Sequence, residues 1–342
     1  MIHLHRYTLA LCVTMVGLCS NGTGADKKTL GSIVRLDPAL DALIPKDAVI
    51  ELLEEKKFEW AEGPVWLKGE KAVIFSDIPR NMIWRWDEIK GLSEFVKPSG
   101  YTGKTPFTGR EPGSNGLTFD QQGRLILCQH GDRRIVAMDL KKPGEYMTLV
   151  DRFEGKRLNS PNDLVIKSNG DIYFTDPPYG LPKQMDDPNK ELSFQGVYRF
   201  SKDGVLTLLT KEMSRPNGIA FSPDEKTLYV ANSDPAKPIW MAFPLQKDGT
   251  LGQGKVFFDA SAQLLKLKIG LPDGMKVDKD GNVWATGPGG VLIFDKSGKH
   301  LGTLATGVAT ANCNWGGDGS TLYITADKNL ARVKTTSKGI GW

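Results

Sequence analysis

The chain has 342 residues, of which 44 are lysine or arginine and 40 are aspartate or glutamate, giving a formal net charge of +4. The two signs are mixed along the chain and no basic tract occurs, which argues against nucleic-acid binding. Hydrophobic residues make up 40% of the chain, enough for a large core, and only four residues are cysteines. So few cysteines do not provide a disulfide framework.

The first 25 residues resemble a secretory signal peptide. His3, His5 and Arg6 precede an apolar stretch over residues 7–18, and small residues follow up to Ala25. This stretch is shorter than the roughly 20 residues of a membrane-spanning helix. We therefore expect export to the periplasm or out of the cell, with residues 26–342 as the mature protein. A lipoprotein at Cys19 is the less favoured alternative, because Leu18 is bulky where a small residue is expected.

Two cysteines remain in the predicted mature protein. Cys128 and Cys313 each lie beside apolar residues of predicted strands. Because one pair of cysteines does not make a disulfide framework, we expect two buried free thiols.

One type of segment recurs along the chain, with a polar residue at its head. Each head is followed by a short apolar segment, a polar turn and a second apolar run rich in β-formers. The polar heads are Glu62, Asn115, Asn162, Asn217 and Asp273, and a degenerate sixth copy begins at Ala311. Repeats of about 40–50 residues with four strands each are typical of a propeller.

The pattern predicts an all-β, six-bladed propeller in a single domain over residues 26–342. Further apolar strands lie between the heads, and helical periodicity is scarce outside the short segment Ser261–Lys268. A strand near residues 48–53 is expected to join the last blade and close the ring, which removes exposed sheet edges.

The polar heads are expected to meet at one end of the propeller axis, where the inner strands begin. Two carboxylates and three amides, with no histidine or cysteine, favour a hard cation such as Ca²⁺ over tetrahedral zinc. Asn-Gly and Asp-Gly are also common turn formers, and for any single head this explanation is sufficient. Five polar heads in register favour a shared ligand site.

Four motifs carry a resemblance to a known family. They read Glu62-Gly-Pro-Val-Trp66, Ser160-Pro-Asn-Asp-Leu164, Arg215-Pro-Asn-Gly-Ile219 and Leu271-Pro-Asp-Gly-Met275. The motifs, in this order, resemble those of the gluconolactonase/regucalcin (senescence marker protein) family, over essentially the whole mature chain. The resemblance implies a six-bladed, calcium-dependent propeller that hydrolyses lactones.

The resemblance also implies roles for single residues. Glu62, Asn217 and Asp273 match the family's metal ligands, and Asn162 matches a residue beside the metal that acts as ligand or substrate contact. We therefore expect one divalent cation, foremost Ca²⁺, with Zn²⁺, Mg²⁺ and Mn²⁺ as alternatives. Asp273 also matches the acid/base, and Asn115 and Asn162 are expected to bind substrate hydroxyls or the developing oxyanion.

Two further residues are candidate substrate contacts. His130 follows a strand of the second repeat, and Tyr179 opens an insertion over residues 177–194 that could cover the site. A structural histidine and a proline-stiffened loop are the respective alternatives. Ser160 departs from the family pattern, in which an arginine precedes the asparagine by two, and this puts the preference for aldonolactones in doubt.

The favoured function is metal-dependent hydrolysis of a small-molecule lactone by a monomer or small homo-oligomer that neither spans a membrane nor binds nucleic acid. One alternative is a phosphotriesterase-like hydrolase, and the other is a non-catalytic propeller stabilised by calcium. The acid at position 273 favours catalysis, because a binding module needs no carboxylate that can act on water. A serine nucleophile is not indicated, because no Gly-x-Ser-x-Gly motif occurs.

Overall fold

Six antiparallel sheets are arranged as the blades of a β-propeller in the computed structural model, which describes residues 27–342. The predicted signal peptide, residues 1–25, lies outside the described residues. Among the residues that are described, no helix is both long enough and apolar enough to cross a membrane. The six-bladed prediction is confirmed.

Blades one to four each run from an inner to an outer strand in chain order. Blade one consists of Ala61–Leu67, Ala72–Asp77, Met82–Asp87 and Gly91–Val96, and blade two of Ser114–Phe119, Leu125–Gln129, Arg134–Met138 and Met147–Val150. Blade three consists of Leu164–Ile166, Ile172–Asp176, Gly196–Phe200 and Leu206–Thr210, and blade four of Pro216–Phe221, Thr227–Asp234, Lys237–Pro244 and Lys255–Asp259.

The last two blades each take a strand from the N-terminal part of the chain. Blade five consists of Met275–Val277, Val283–Gly287, Gly290–Phe294 and His300–Ala305, with Ser32–Arg35 added outside. Blade six consists of Asn312–Gly316, Thr321–Ala326 and Asn329–Lys334, with Glu51–Glu54 as its outer strand. Strand Ser32–Arg35 was not predicted.

Short elements lie between the strands of the blades. They are the hairpin of Arg152–Phe153 and Lys156–Arg157, the 3₁₀ helices Pro38–Ala42, Lys68–Glu70 and Gln184–Asp186, and the α-helix Ser261–Leu267. The α-helix coincides with the one helical segment expected from the sequence.

The last blade packs directly against the first. The Asn314 side chain donates to the carbonyl oxygen of Pro64 over 2.9 Å, and the rings of Trp66 and Tyr323 stack at 5.5 Å between centroids. These contacts join residues about 250 positions apart in the chain. The inner strands of blades six and one are therefore neighbours around the axis.

The core lies between neighbouring blades. Second strands such as Leu125–Gln129 and Val283–Gly287 are buried along their whole length, which explains why they read as continuous apolar runs. Outer strands such as Lys255–Asp259 are largely exposed. Cys128 and Cys313 lie in this core as free, fully buried cysteines, which confirms the expectation of two free thiols.

The glycines that follow the heads allow adjacent blades to approach closely. A Cβ atom on Gly218 would lie 2.1 Å from the carbonyl oxygen of Asp273, and one on Gly116 would lie 2.8 Å from that of Asn162. Neither glycine has a positive φ angle. These Asn-Gly pairs are thus explained by contact between blades, and a tight turn is not needed to account for them.

Candidate active site

The five polar heads line one cavity of about 170 Å³. Irregular strand pairing just after the head in blades one, two and four bends the inner strand there. The lining heads are Glu62, Asn115, Asn162, Asn217 and Asp273. The structure therefore brings all five together, and their roles as ligands stay predictions.

Hydroxyl groups on three second strands fix the heads of the neighbouring blades. Ser76 donates to the carbonyl oxygen of Asn115 over 2.9 Å, and Thr175 donates to that of Asn217 over 2.7 Å. Thr286 donates in the same way to the carbonyl oxygen of Ala311 over 2.8 Å. The fold therefore fixes the main chain at these heads.

Glu62 is a carboxylate buried in the cavity wall, with 2% of its surface exposed. Its Oε2 accepts from the backbone N–H of Gly63 over 3.1 Å and from the side chain of Asn312 over 3.4 Å. The sixth repeat, whose head is the apolar Ala311, thus contributes through its next residue. Burial, and next the negative charge of Asp163, raise the pKa of Glu62 to about 8.

Asp273 lies in the same acidic environment. Burial, followed by the charges of Glu62, Asp163 and Glu111, raises the pKa of Asp273 well above its usual range, and the Asn217 amide opposes this. The pKa of Asp163 is also raised by burial, with Lys276 as the largest opposing influence. Asp163 was missed because it follows the head Asn162 directly and reads as part of an Asn-Asp turn.

The donor set fits a divalent cation. Glu62 and Asp163 are buried and Asp273 is half-buried. The charges of Glu62 and Asp163 both raise the pKa of Asp273, whereas Lys276 opposes the rise in the pKa of Asp163. The side-chain oxygen of Asn115 is buried without a hydrogen-bond partner in residues 27–342. Unpaired buried charge is costly, and a cation would offset the negative charge of these carboxylates.

Carboxylates and amides would have to share the coordination of such a cation. Within residues 27–342, no group of three histidine, cysteine, aspartate or glutamate side chains has a metal-binding arrangement. A set of two carboxylates and two asparagine oxygens, as predicted from the sequence, suits Ca²⁺, which accepts both kinds of oxygen.

The two weaker candidates occupy different positions. Tyr179 lines the cavity, and burial raises the pKa of its hydroxyl, so it is a neutral hydrogen-bond donor. His130 is fully buried, lies outside the cavity lining and contacts Glu111, a cavity residue. The predicted contact between His130 and substrate stays a prediction, and the residue between the imidazole and the cavity is Glu111.

The residue two positions before the head also lines the cavity in three of the blades. Trp60, Arg215 and Leu271 occupy this position in blades one, four and five, and all three line the cavity. In blade three the position holds Ser160, which is buried and donates to the carbonyl oxygen of Pro177 over 2.6 Å. The arginine absent from blade three is thus present at the equivalent position of blade four.

A larger cavity, of about 550 Å³, lies between blades two and three. Its polar side chains are largely paired with one another or with the fold, as in the contact of 2.7 Å between Arg124 and Asp120. The smaller cavity at the heads has unpaired polar groups and several buried acids. We therefore assign the candidate site to the smaller one.

Comparisons with known proteins identify the family of the chain. The family described as SMP-30/Gluconolactonase/LRE-like region matches residues 60–328. A gluconolactonase of Zymomonas mobilis is 41% identical over 321 residues, which cover 91% of this chain and 88% of that protein. A pentonolactonase of Haloferax volcanii is 26% identical over 269 residues, covering 77% of this chain and 80% of that one.

A solved structure shows the same arrangement of blades. A gluconolactonase of Xanthomonas campestris superposes with a TM-score of 0.77 at 31% identity, over 91% of this chain and 98% of that chain. The calcium-binding protein regucalcin of Agrobacterium tumefaciens, at 20% identity, shares the fold with a TM-score of 0.65 over 84% of this chain and 94% of that one.

Proposed function

Since the chain belongs to the SMP-30/gluconolactonase/LRE-like family, we propose that it hydrolyses lactones of polyhydroxylated sugar acids with the aid of one divalent cation. The observation that carries the proposal is the convergence of Glu62, Asn162, Asn217 and Asp273 on one small polar cavity. Two of the relatives, a gluconolactonase and a pentonolactonase, act on such lactones, as their names state.

The four residues named above would hold the cation, with Ca²⁺ favoured by their oxygen atoms. When bound, the cation supplies Lewis-acid polarisation of the ester carbonyl. A bound cation would also offset the repulsion between Glu62 and Asp273, so that both could be ionised at neutral pH. In the metal-free protein the raised pKa values of both residues oppose this ionisation.

Asp273 is the group that moves protons. Its carboxylate accepts a proton from the attacking water as the water oxygen bonds to the carbonyl carbon of the lactone. The bond from that carbon to the ring oxygen then breaks, and Asp273 returns the proton to the leaving alkoxide. Asn115 and Asn162 donate side-chain N–H groups to the substrate, and Tyr179 donates its neutral hydroxyl.

A comparison of substrates tests this function. We expect the purified protein, with Ca²⁺ supplied, to release acid from glucono-1,5-lactone at least about a hundredfold faster, in kcat/KM, than it cleaves a phosphotriester such as paraoxon. The two rates are measured by pH-stat titration and by nitrophenolate absorbance.

The result also separates the alternatives. Faster cleavage of the phosphotriester would support the alternative of a phosphotriesterase-like hydrolase. Tight calcium binding without turnover of either substrate would support a non-catalytic propeller. Either result would contradict the proposed lactonase.

A further inference from the structure

A buried histidine supports one carboxylate of the cavity wall. The Nδ1 atom of His130 lies 2.9 Å from Oε2 of Glu111. Glu111 lines the cavity and its side chain is 30% exposed, whereas the side chain of His130 is fully buried behind it. The pair is formed between the loop before blade two and the end of its second strand, and the proton transfers assigned above do not use it.

The fold leaves His130 little freedom to move. Its backbone N–H donates to the carbonyl oxygen of Gly113 over 3.1 Å. Gly180 packs so closely that a Cβ atom there would lie 2.6 Å from the carbonyl oxygen of His130 and 2.8 Å from its Cβ. The imidazole is thus held between the loop carrying Glu111 and the segment carrying Tyr179.

The hydrogen-bonding environment determines which nitrogen of His130 carries the proton. Nε2 is buried and has no partner among residues 27–342. A buried N–H group without an acceptor is less tolerable than a buried lone pair without a donor, so the proton is assigned to Nδ1. His130 therefore donates to Glu111 and holds its carboxylate in one orientation.

This contact engages one carboxylate oxygen of Glu111 and leaves the other available. Oε1 of Glu111 makes no hydrogen bond within the described part of the chain. It belongs to a cavity that also contains Asn115, Tyr179 and Arg215, all able to form hydrogen bonds. An ionised carboxylate is an acceptor only, so its natural partners are hydroxyl groups of a ligand.

We propose that Glu111, oriented by His130, accepts hydrogen bonds from substrate hydroxyls and selects polyhydroxylated lactones over unsubstituted ones. This inference rests on the proposed lactonase function. Glu111 is then a recognition residue that contacts substrate, and His130 is a positioning residue that acts through it. Proton transfer at the ester group of the lactone is the separate role of Asp273.

The variant Glu111→Gln tests the recognition role. In this variant the glutamine oxygen can accept the hydrogen bond from His130. The side-chain NH₂ group, which is a donor, then takes the place of Oε1, which is an acceptor. We expect KM for glucono-1,5-lactone to rise about tenfold with kcat within about threefold of wild type. For δ-valerolactone, which has no hydroxyl groups, kcat/KM should change less than about twofold. Glu94→Gln, an exposed change in blade one, is the matched control.

Two variants of His130 test the positioning role. His130→Asn keeps an N–H donor near the position of Nδ1, whereas His130→Leu removes it. We expect the leucine variant to reproduce the rise in KM for glucono-1,5-lactone and the asparagine variant to restore at least half of the lost kcat/KM. Equal loss in both variants, with unchanged melting temperatures, would overturn the role of His130.

The outcomes for the inference and for the proposed function differ. Wild-type activity on glucono-1,5-lactone, with KM unchanged in Glu111→Gln, would overturn the inference alone. Equal losses on both lactones, or a fall in kcat alone, would overturn it as well, because they would assign Glu111 to the chemistry. Inactivity of the wild-type protein on both lactones would overturn the proposed function and the inference together.

Discussion

Replacing Asp273 with asparagine is expected to lower kcat for glucono-1,5-lactone by about 10²- to 10⁴-fold, the usual contribution of a general acid/base. Asparagine is nearly isosteric with aspartate but cannot accept the proton of the attacking water. The measurement is acid release at a Ca²⁺ concentration that saturates the variant, so that a lower cation affinity does not contribute to the loss.

The fold should survive this change. The backbone N–H of Asp273 donates to the carbonyl oxygen of Thr286 over 2.9 Å, and that of Gly274 donates to Ala311 over 2.8 Å. Neither bond uses the side chain. Because the substitution removes a carboxylate from a crowded acidic site, the metal-free variant should melt no lower than the metal-free wild type. Wild-type turnover in Asp273→Asn would remove Asp273 from the mechanism, and Asp280→Asn, an exposed change in the same blade, is the control.

Replacing Glu62 with glutamine is expected to weaken Ca²⁺ binding by at least about a hundredfold, because one of the two charged ligands is lost. Isothermal titration calorimetry on the chelator-treated protein measures the affinity. Glu59→Gln, three residues earlier and exposed, should bind Ca²⁺ as the wild type does. An unchanged affinity in Glu62→Gln would refute the assignment of Glu62 as a ligand.

The same variant should change how stability depends on pH. The pKa of Glu62 is about 8 in the folded, metal-free protein and 4.5 ordinarily. Between these values the folded state binds more protons than the unfolded state, so the free energy of unfolding falls as the pH rises. Melting temperatures of the metal-free wild type should therefore decrease from pH 5 to pH 8, and the decrease should be smaller in Glu62→Gln. A melting temperature that rises over this interval would contradict the raised pKa of Glu62.

The sequence was sufficient to predict the six blades and the shared cavity. The heads recur in phase with their apolar strands, and in a propeller every inner strand begins at the same end of the axis. Once Glu62, Asn115 and Asp273 are recognised as equivalent positions, their convergence follows from the topology. The signal peptide and the lipoprotein alternative at Cys19 stay predictions, because residues 1–26 are outside the described part.

Other features of the structure do not correspond to a repeated pattern in the sequence. Strand Ser32–Arg35 lies before the first repeat and pairs with a blade formed by residues about 270 positions later. Glu111 belongs to an irregular loop whose path toward the cavity depends on tertiary contacts such as the one with His130. Arg215 could have been found by comparing the residues two before each head, because that position also holds Trp60 and Leu271.

The central claim is that one cation at the blade heads is required for lactone hydrolysis. The most direct measurement titrates Ca²⁺ into chelator-treated protein while following both the bound cation and the release of acid from glucono-1,5-lactone. We predict that turnover rises in proportion to occupancy and reaches its maximum at about one cation per chain. Full turnover before any Ca²⁺ is added, or full occupancy without turnover, would contradict the account.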